Sequence, residues 1–364
     1  DNAKASGIAT VSLGFMANGH SEDGDKDNTP SSTKATYGTA VGHFAGADYV
    51  GTDNARSTAL GNQAGRYGEG GAINTAVGNQ AGQYVKGSQN VAMGHLAGSG
   101  DATNKLEASN TVSIGSFAKA SANNAAAMGT TAQARTEKSL ALGQNATAGD
   151  TAAPTVKKGE YSTAIGSDTT ALGYGATAVG SITKAKVNYA TALGHEAEAS
   201  GSGETSLGYG AGANSTSPNG NRNGVNLGTN AGRYAISGGN NVAVGISAGQ
   251  YVEGDNNIAQ GYSAGYYIKG NENVSIGTNA NVGSATEKLE VSKTVAIGSA
   301  AKTSGNDAIA LGNTANSKTE GAISIGARTV SGDGDLVPGV ADIGNKSISI
   351  GYESVANRYD TIAM

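Results

Sequence analysis

The chain has 364 residues, of which 58 are glycine, three are phenylalanine and none is tryptophan or cysteine. Large side chains are too scarce to fill an ordinary globular core, so small residues have to pack by repetition, and without thiols there is no disulfide framework, thiol catalysis or thiolate metal site. The formal net charge is −5 with both signs dispersed and no run of five lysines or arginines, which argues against a basic nucleic-acid face.

Taken in chain order, a four-residue unit recurs: a Val, Ile or Thr (occasionally Ala or Leu), then Ala or Ser, then a bulky apolar residue, then Gly. It begins at Val11-Ser12-Leu13-Gly14 and returns as Thr39-Ala40-Val41-Gly42, Val91-Ala92-Met93-Gly94, Val112-Ser113-Ile114-Gly115 and Val295-Ala296-Ile297-Gly298. Its glycines are Gly14, Gly42, Gly61, Gly78, Gly94, Gly115, Gly129, Gly143, Gly166, Gly180, Gly194, Gly208, Gly228, Gly245, Gly261, Gly277, Gly298, Gly312, Gly326 and Gly351. The basic interval is 14 residues, with longer coils of 16 or 17 and insertions up to 28. Gly173, seven residues after Gly166, reads as a mid-coil position. The phase after Gly351 places the next glycine just past Met364, so the sequence is expected to be a fragment of a longer protein.

Alternation within the unit predicts a short strand closed by glycine. A second strand is predicted after it, with small residues three and five places on, as at Ala118 and Ala120, Ala132 and Ala134, Ala146 and Ala148, and Ala197 and Ala199. Lys119, Gln133, Thr147 and Glu198 stand between those pairs, giving that strand a polar face. The fold class is therefore all-β, a parallel β-roll or β-solenoid with two short strands per roughly 14-residue coil. The first strand is apolar or small on both faces, leaving a stripe that a cyclic homotrimer would bury. The bulky pair is expected to fill the roll, and the Ala/Ser position to let sister chains approach.

The chain reads as one continuous roll over 1–364 with two tandem-duplicated halves, about 1–200 and 201–364. The run Asn104-Lys105-Leu106-Glu107 is echoed by Glu287-Lys288-Leu289-Glu290, and each introduces a 14, 14 series after a 21-residue interval. Proline cannot donate to a β-ladder, and Pro30, Pro154, Pro218 and Pro338 all lie in long intervals. Outward loops are accordingly predicted near 21–34, 151–159, 215–224 and 333–345.

Asp23, Asp25 and Asp27 alternate like the start of a calcium loop, but Asn28 and Lys34 occupy the places of its glycine and glutamate, so a solvated loop is the better reading. Asp333 and Asp335 are read in the same way. His43, His95 and His195 each follow a repeat glycine and read as turn decoration; Gly42 and Gly94 lie roughly 14 Å apart along the roll, too far for their neighbours to share a zinc. No nucleophile, base and orienting group cluster in sequence, so no enzyme, catalytic residue, metal site or cofactor is expected. Tyr67, Tyr84, Tyr234, Tyr251 and Tyr267 recur at one place in the longer coils and are expected to stack as a ladder, with a shared aromatic binding strip as the other reading. Gln260 replaces an apolar residue of the repeat, and three copies near a symmetry axis could hydrogen-bond one another. Candidate binding residues are those tyrosines together with Lys157, Lys158, Arg222 and Asp335 in the predicted loops.

Lys293-Thr294-Val295-Ala296-Ile297-Gly298 and Asn110-Thr111-Val112-Ser113-Ile114-Gly115 resemble the head repeat of trimeric autotransporter adhesins, the YadA-like family. Ala64-Gly65-Arg66-Tyr67 and Ala231-Gly232-Arg233-Tyr234 are similar to a longer coil variant of such heads. The resemblance implies a left-handed parallel β-roll homotrimer exposed on the cell surface of a Gram-negative bacterium, with a stalk and an outer-membrane anchor domain that this sequence does not include. It also implies attachment to collagen, fibronectin, laminin or cell-surface receptors, and so a role in virulence. A trimeric phage tail-fibre rod and an ice-binding β-solenoid are the rival functions. The latter needs an exposed threonine array, whereas Thr58, Thr75, Thr163 and Thr191 alternate with Val and Ile at equivalent positions, which favours their burial. A hexapeptide-repeat acyltransferase would have a period near six or 18 rather than 14.

Overall fold

The computed structural model describes residues 11–17, 38–46, 57–68, 73–150, 159–215, 221–332, 346–357 and 360–364. Among them every strand is two or three residues long and no helix occurs. The chain divides into two compact units, Asp1–Ile182 and Thr183–Met364.

The strand-forming segments are the predicted ones. β-Branched residues open most first strands, where they favour extended backbone, and the repeat glycine closes each. In the first unit the strands from Val11–Leu13 to Thr177–Val179 pair with their successors in parallel, with equivalent positions aligned: Thr39 meets Thr58, Ala40 meets Ala59 and Val41 meets Leu60. In the second unit the same holds from Thr191–Leu193 to Ile362–Ala363, as where Val295, Ala296 and Ile297 meet Ile309, Ala310 and Leu311. Each unit is a parallel β-solenoid.

The repeat glycines stack in one column within each unit. At Gly94, φ is +129°, and an added Cβ would lie 2.7 Å from the carbonyl oxygen of Gly115; at Gly245, φ is +128°, and the same atom would lie 2.7 Å from Gly261 O. Both the backbone conformation and the close approach of the next coil demand glycine. Gly173 sits in the turn after the Thr170–Ala171 strand, where its carbonyl accepts the Ala176 N–H at 3.1 Å, so it is a mid-coil residue.

In the 14-residue coils the second strand forms as expected. Lys119–Ala120, Gln133–Ala134, Thr147–Ala148 and Thr170–Ala171 make one parallel set in the first unit. Lys302–Thr303, Asn316–Ser317, Val330–Ser331 and Val355–Ala356 make another in the second.

The direction of the first strand is the reverse of the expectation. Its middle Ala or Ser points into the roll: Ser113, Ala127, Ala141, Ala164 and Ala178 have no exposed surface, and neither do Ala118, Ala120, Ala132 and Ala134 opposite them. The bulky residues point outward instead, with Leu13 59 % exposed, Leu142 39 %, Leu193 41 % and Ile297 39 %. The reason is thickness. In the 14-residue coils the interior is so shallow that the Ser113 hydroxyl accepts the Ala120 N–H of the opposite strand at 3.0 Å, a spacing that a leucine side chain would not fit. The threonines follow the bulky residues outward. Thr58, Thr75, Thr163 and Thr191 are half-buried on that same face, so they lie outside the roll and not inside it; there Thr39, Thr58 and Thr75 pair in register, as do Thr163 with Thr177 and Thr191 with Thr205, each on a strand with Leu, Val or Ile beside it.

The 16- and 17-residue coils depart from the two-strand plan. After the inward Ala64 or Ala248, Gly65 and Gly249 turn left-handed at φ +64° and +61°, and the second strand contracts to bridges such as Ser237 to Glu253. A ladder of asparagines four residues before the repeat glycine satisfies the backbone there. Asn74 Oδ1 accepts the Asn90 N–H at 2.9 Å, and Asn90 Oδ1 accepts the Thr111 N–H at 3.0 Å. In the second unit Asn241 Oδ1 accepts from Asn257 N at 2.8 Å, Asn257 Oδ1 from Asn273 N at 3.1 Å, and Asn273 Oδ1 from Thr294 N at 3.2 Å. Their amide groups donate to carbonyls of the adjoining turns, as from Asn257 to Gly270 at 2.9 Å.

Candidate binding surface

The longer coils place a tyrosine at φ of about +55° on the turn that follows Arg66, Gln83, Arg233, Gln250 or Tyr266. Because coils stack in register, these rings stack too. Tyr67 and Tyr84 lie 4.7 Å apart at 16°; in the second unit Tyr234 and Tyr251 lie 4.9 Å apart, and Tyr251 and Tyr267 4.3 Å. The rings cover one another's faces and present their edges outward, which is the ladder arrangement. Arginine closes one end of each ladder: the Arg66 guanidinium lies 4.3 Å from the Tyr67 ring centre and the Arg233 guanidinium 4.8 Å from that of Tyr234. Tyr266, which the period alone does not single out, packs edge-on against Tyr267 at 4.7 Å. Burial raises the Tyr251 and Tyr266 hydroxyls above the usual tyrosine range.

The turn histidines also pack on nearby aromatic rings. His43 stacks on Phe15 at 5.4 Å and meets the Phe44 edge at 4.3 Å, His95 meets Phe117 at 5.1 Å, and His195 stacks on Tyr209 at 5.5 Å. No three His, Asp or Glu side chains among the described residues come close enough to hold a metal ion together.

Of the loop candidates, Arg222 is described. Its side chain is exposed, while its backbone is laddered to Gly239 and its carbonyl accepts the Asn240 N–H at 2.7 Å. Asn221–Gly224 thus belongs to a coil, and Asn221 fills the space that a side chain at Gly224 would need. The segments 21–34 and 333–345 predicted as loops, residues 151–158 and 216–220, and with them Asp23, Asp25, Asp27, Lys157, Lys158, Asp333 and Asp335, lie outside the described residues.

Two features escape the repeat count. One is the outward apolar column of the first strands, whose signal was the period itself but whose direction was not. The other is a buried carboxylate. Glu204 is 1 % exposed at the start of the second unit's asparagine ladder, where Oε1 accepts from Asn226 Nδ2 at 2.7 Å and Oε2 from the Ser200 and Gly201 N–H groups at 2.9 and 2.6 Å. Burial pushes its carboxyl up to about 7 against those donors.

A repetitive parallel β-solenoid whose coils carry an outward apolar column and edge-on aromatic ladders belongs to the class of structural repeat proteins. The family model for the YadA head domain repeat (2 copies) matches residues 107–132, 120–146, 158–181, 188–211, 293–315, 304–329 and 343–364. No curated protein matches the chain. Over these segments the chain carries YadA head domain repeats, the repeat of YadA-like autotransporter adhesin heads.

Proposed function

We propose that this chain is the head of a homotrimeric adhesin on the surface of a Gram-negative bacterium, anchored through an outer-membrane domain beyond this sequence and attaching the cell to host matrix proteins or cell-surface receptors. The observation that carries the reading is the outward apolar column. In a single chain each interior alanine contributes only about 0.8 kcal/mol per buried methyl group, while outward residues such as Leu142, at 39 % exposed, and Ile297, at 39 %, still leave part of a side chain worth about 1.5–3 kcal/mol in full burial facing water. A continuous share of the apolar surface therefore remains for a partner to cover. Two identical chains covering it in a closed ring account for a column that persists through each unit without a break in direction.

On this reading the scaffold is a rigid spacer without catalytic activity. Contact with the ligand is made by the loops and by the tyrosine strips, three copies of each raising avidity. Collagen, fibronectin, laminin and cell-surface receptors are the ligand classes to test, and virulence would follow from attachment. The halves 1–200 and 201–364 are read as tandem copies; the ion pairs Lys86–Glu107 at 3.1 Å and Lys269–Glu290 at 3.0 Å recur at matching places in the two.

The test combines sedimentation with solid-phase binding of the purified head to matrix proteins and cultured cells. A trimer that binds at least one of these, and loses binding without losing assembly when 151–159 or 333–345 is deleted, supports the proposal. A stable monomer would end it. Undiminished adhesion after removal of all four loops would move the contact to the tyrosine strips or the roll face.

A further inference from the structure

A ring of identical repetitive coils has a problem that a globular trimer does not. Sliding one chain by a single coil, about 4.8 Å, exchanges each outward residue for its near twin in the next coil. Apolar contact is non-directional, so a slipped assembly would lose little beyond the contacts at its ends.

At its third strand position the outward column has one polar member among the described residues. At the third strand position the described coils of the first unit carry Leu, Val, Met or Ile from Leu13 to Val179. In the second unit the run is Leu227, Val244, Gln260, Ile276, Ile297, with Gln260 paired in register between Val244 and Ile276. Its side chain is exposed, and its amide takes no hydrogen-bond partner among the described residues. The middle residue of the same strand, Ala259, lies inside the roll with only 4 % of its surface exposed, so the strand is regular and Gln260 points where its apolar neighbours point.

We infer that Gln260 sets the axial register of the three chains. This rests on the homotrimer proposed above. With the chains level, three Gln260 amides face one another, and each carries both a donor and an acceptor, so they can close a ring of hydrogen bonds. With one chain slipped by a coil, its amide faces Val244 or Ile276 of its neighbours and the remaining amides lose a partner, leaving polar groups buried and unpaired. A single polar residue in an apolar seam selects register in the same way in coiled coils, at some cost in stability.

The experiment uses the absence of cysteine. Full-length chains carrying a nitroxide at Lys184→Cys and chains carrying a gadolinium label at Lys302→Cys, both positions exposed on the second strand, are assembled as a mixture. The distance between the two label types is then measured by pulsed electron resonance. The native Gln260 background should give one narrow interchain distance. Gln260→Ile should remain trimeric, with extra distances displaced in steps of about 4.8 Å per coil along the roll. Val244→Gln combined with Gln260→Ile should recover one narrow distance, because the three amides again meet at one level. A Gln260→Ile trimer with the native single distance overturns the register role while leaving the homotrimer intact. A native chain that sediments as a monomer removes the homotrimer and this inference together.

Discussion

Gly94 and Gly245 show how strictly one position is set. Each combines a φ near +130° with a neighbouring carbonyl where a Cβ would be, so Gly245→Ala should cost roughly 3 kcal/mol, read as a lowered unfolding midpoint. An unchanged midpoint would mean that the glycine column tolerates displacement. Glu204 makes a second residue-level prediction, about pH. Its folded carboxyl sits at about 7 against an ordinary value of 4.5, so the folded chain holds the proton more tightly than the unfolded chain does. The stabilising increment is complete below about 4.5, falls as pH rises through about 7 and stays lost above it, a span of roughly 3 kcal/mol. Thermal unfolding should therefore show a midpoint declining over that window in the native chain and a flatter one in Glu204→Gln. Equal slopes in the two would assign the dependence elsewhere. The ion pair of Lys186 with Glu198, joined to this site through Ser200, is left in place by that substitution.

At the scale of the coil, the two coil types solve one problem differently. A 14-residue coil pairs its second strand with the next coil; a 16- or 17-residue coil gives up most of that strand and substitutes an asparagine ladder and stacked tyrosines. Asn257→Leu should leave the Asn273 N–H and the Gly270 carbonyl without their partners, at about 1–3 kcal/mol per group. Tyr251→Leu removes two stacked contacts, at 4.9 and 4.3 Å, worth roughly 1–3 kcal/mol together. Both should appear as early local unfolding of the longer coils in hydrogen exchange, with the 14-residue coils of the same unit protected. Uniform loss of protection would show instead that the unit unfolds as a whole. If Tyr251→Leu abolished ligand binding with no change in protection, the strip would be a contact surface and not a structural ladder.

For the whole molecule, the outward column separates assembly from folding. Ile297 is 39 % exposed, while Ala296 beside it is fully buried. Ile297→Asp should therefore leave the coil intact but place three carboxylates in the proposed seam, shifting the trimer toward monomer in sedimentation. The far-ultraviolet spectrum at low temperature should stay native. A trimer of unaltered stability would mean that this face of the roll is not the seam.

Period and composition were enough to determine the all-β class, the solenoid, the glycine column and the strand positions. Each follows from local chemistry repeated many times: a β-branched residue, a small one, a bulky one and a glycine that no other residue can replace. The stacking of Tyr234, Tyr251 and Tyr267 was legible for the same reason, since equal spacing in registered coils becomes vertical alignment. The asparagine ladder was also present in the sequence, four residues before the glycine of the longer coils, but its meaning depends on which backbone groups the missing second strand leaves open. Only the tertiary structure decided which face of the first strand lies inside. Alternation shows that small positions such as Ser113 and Ala127 oppose the bulky ones, yet it carries no sign; in the 14-residue coils the sign is set by the distance between the two sheets, which admits a methyl or hydroxyl group and excludes a leucine, whereas the longer coils leave room for buried Ile268.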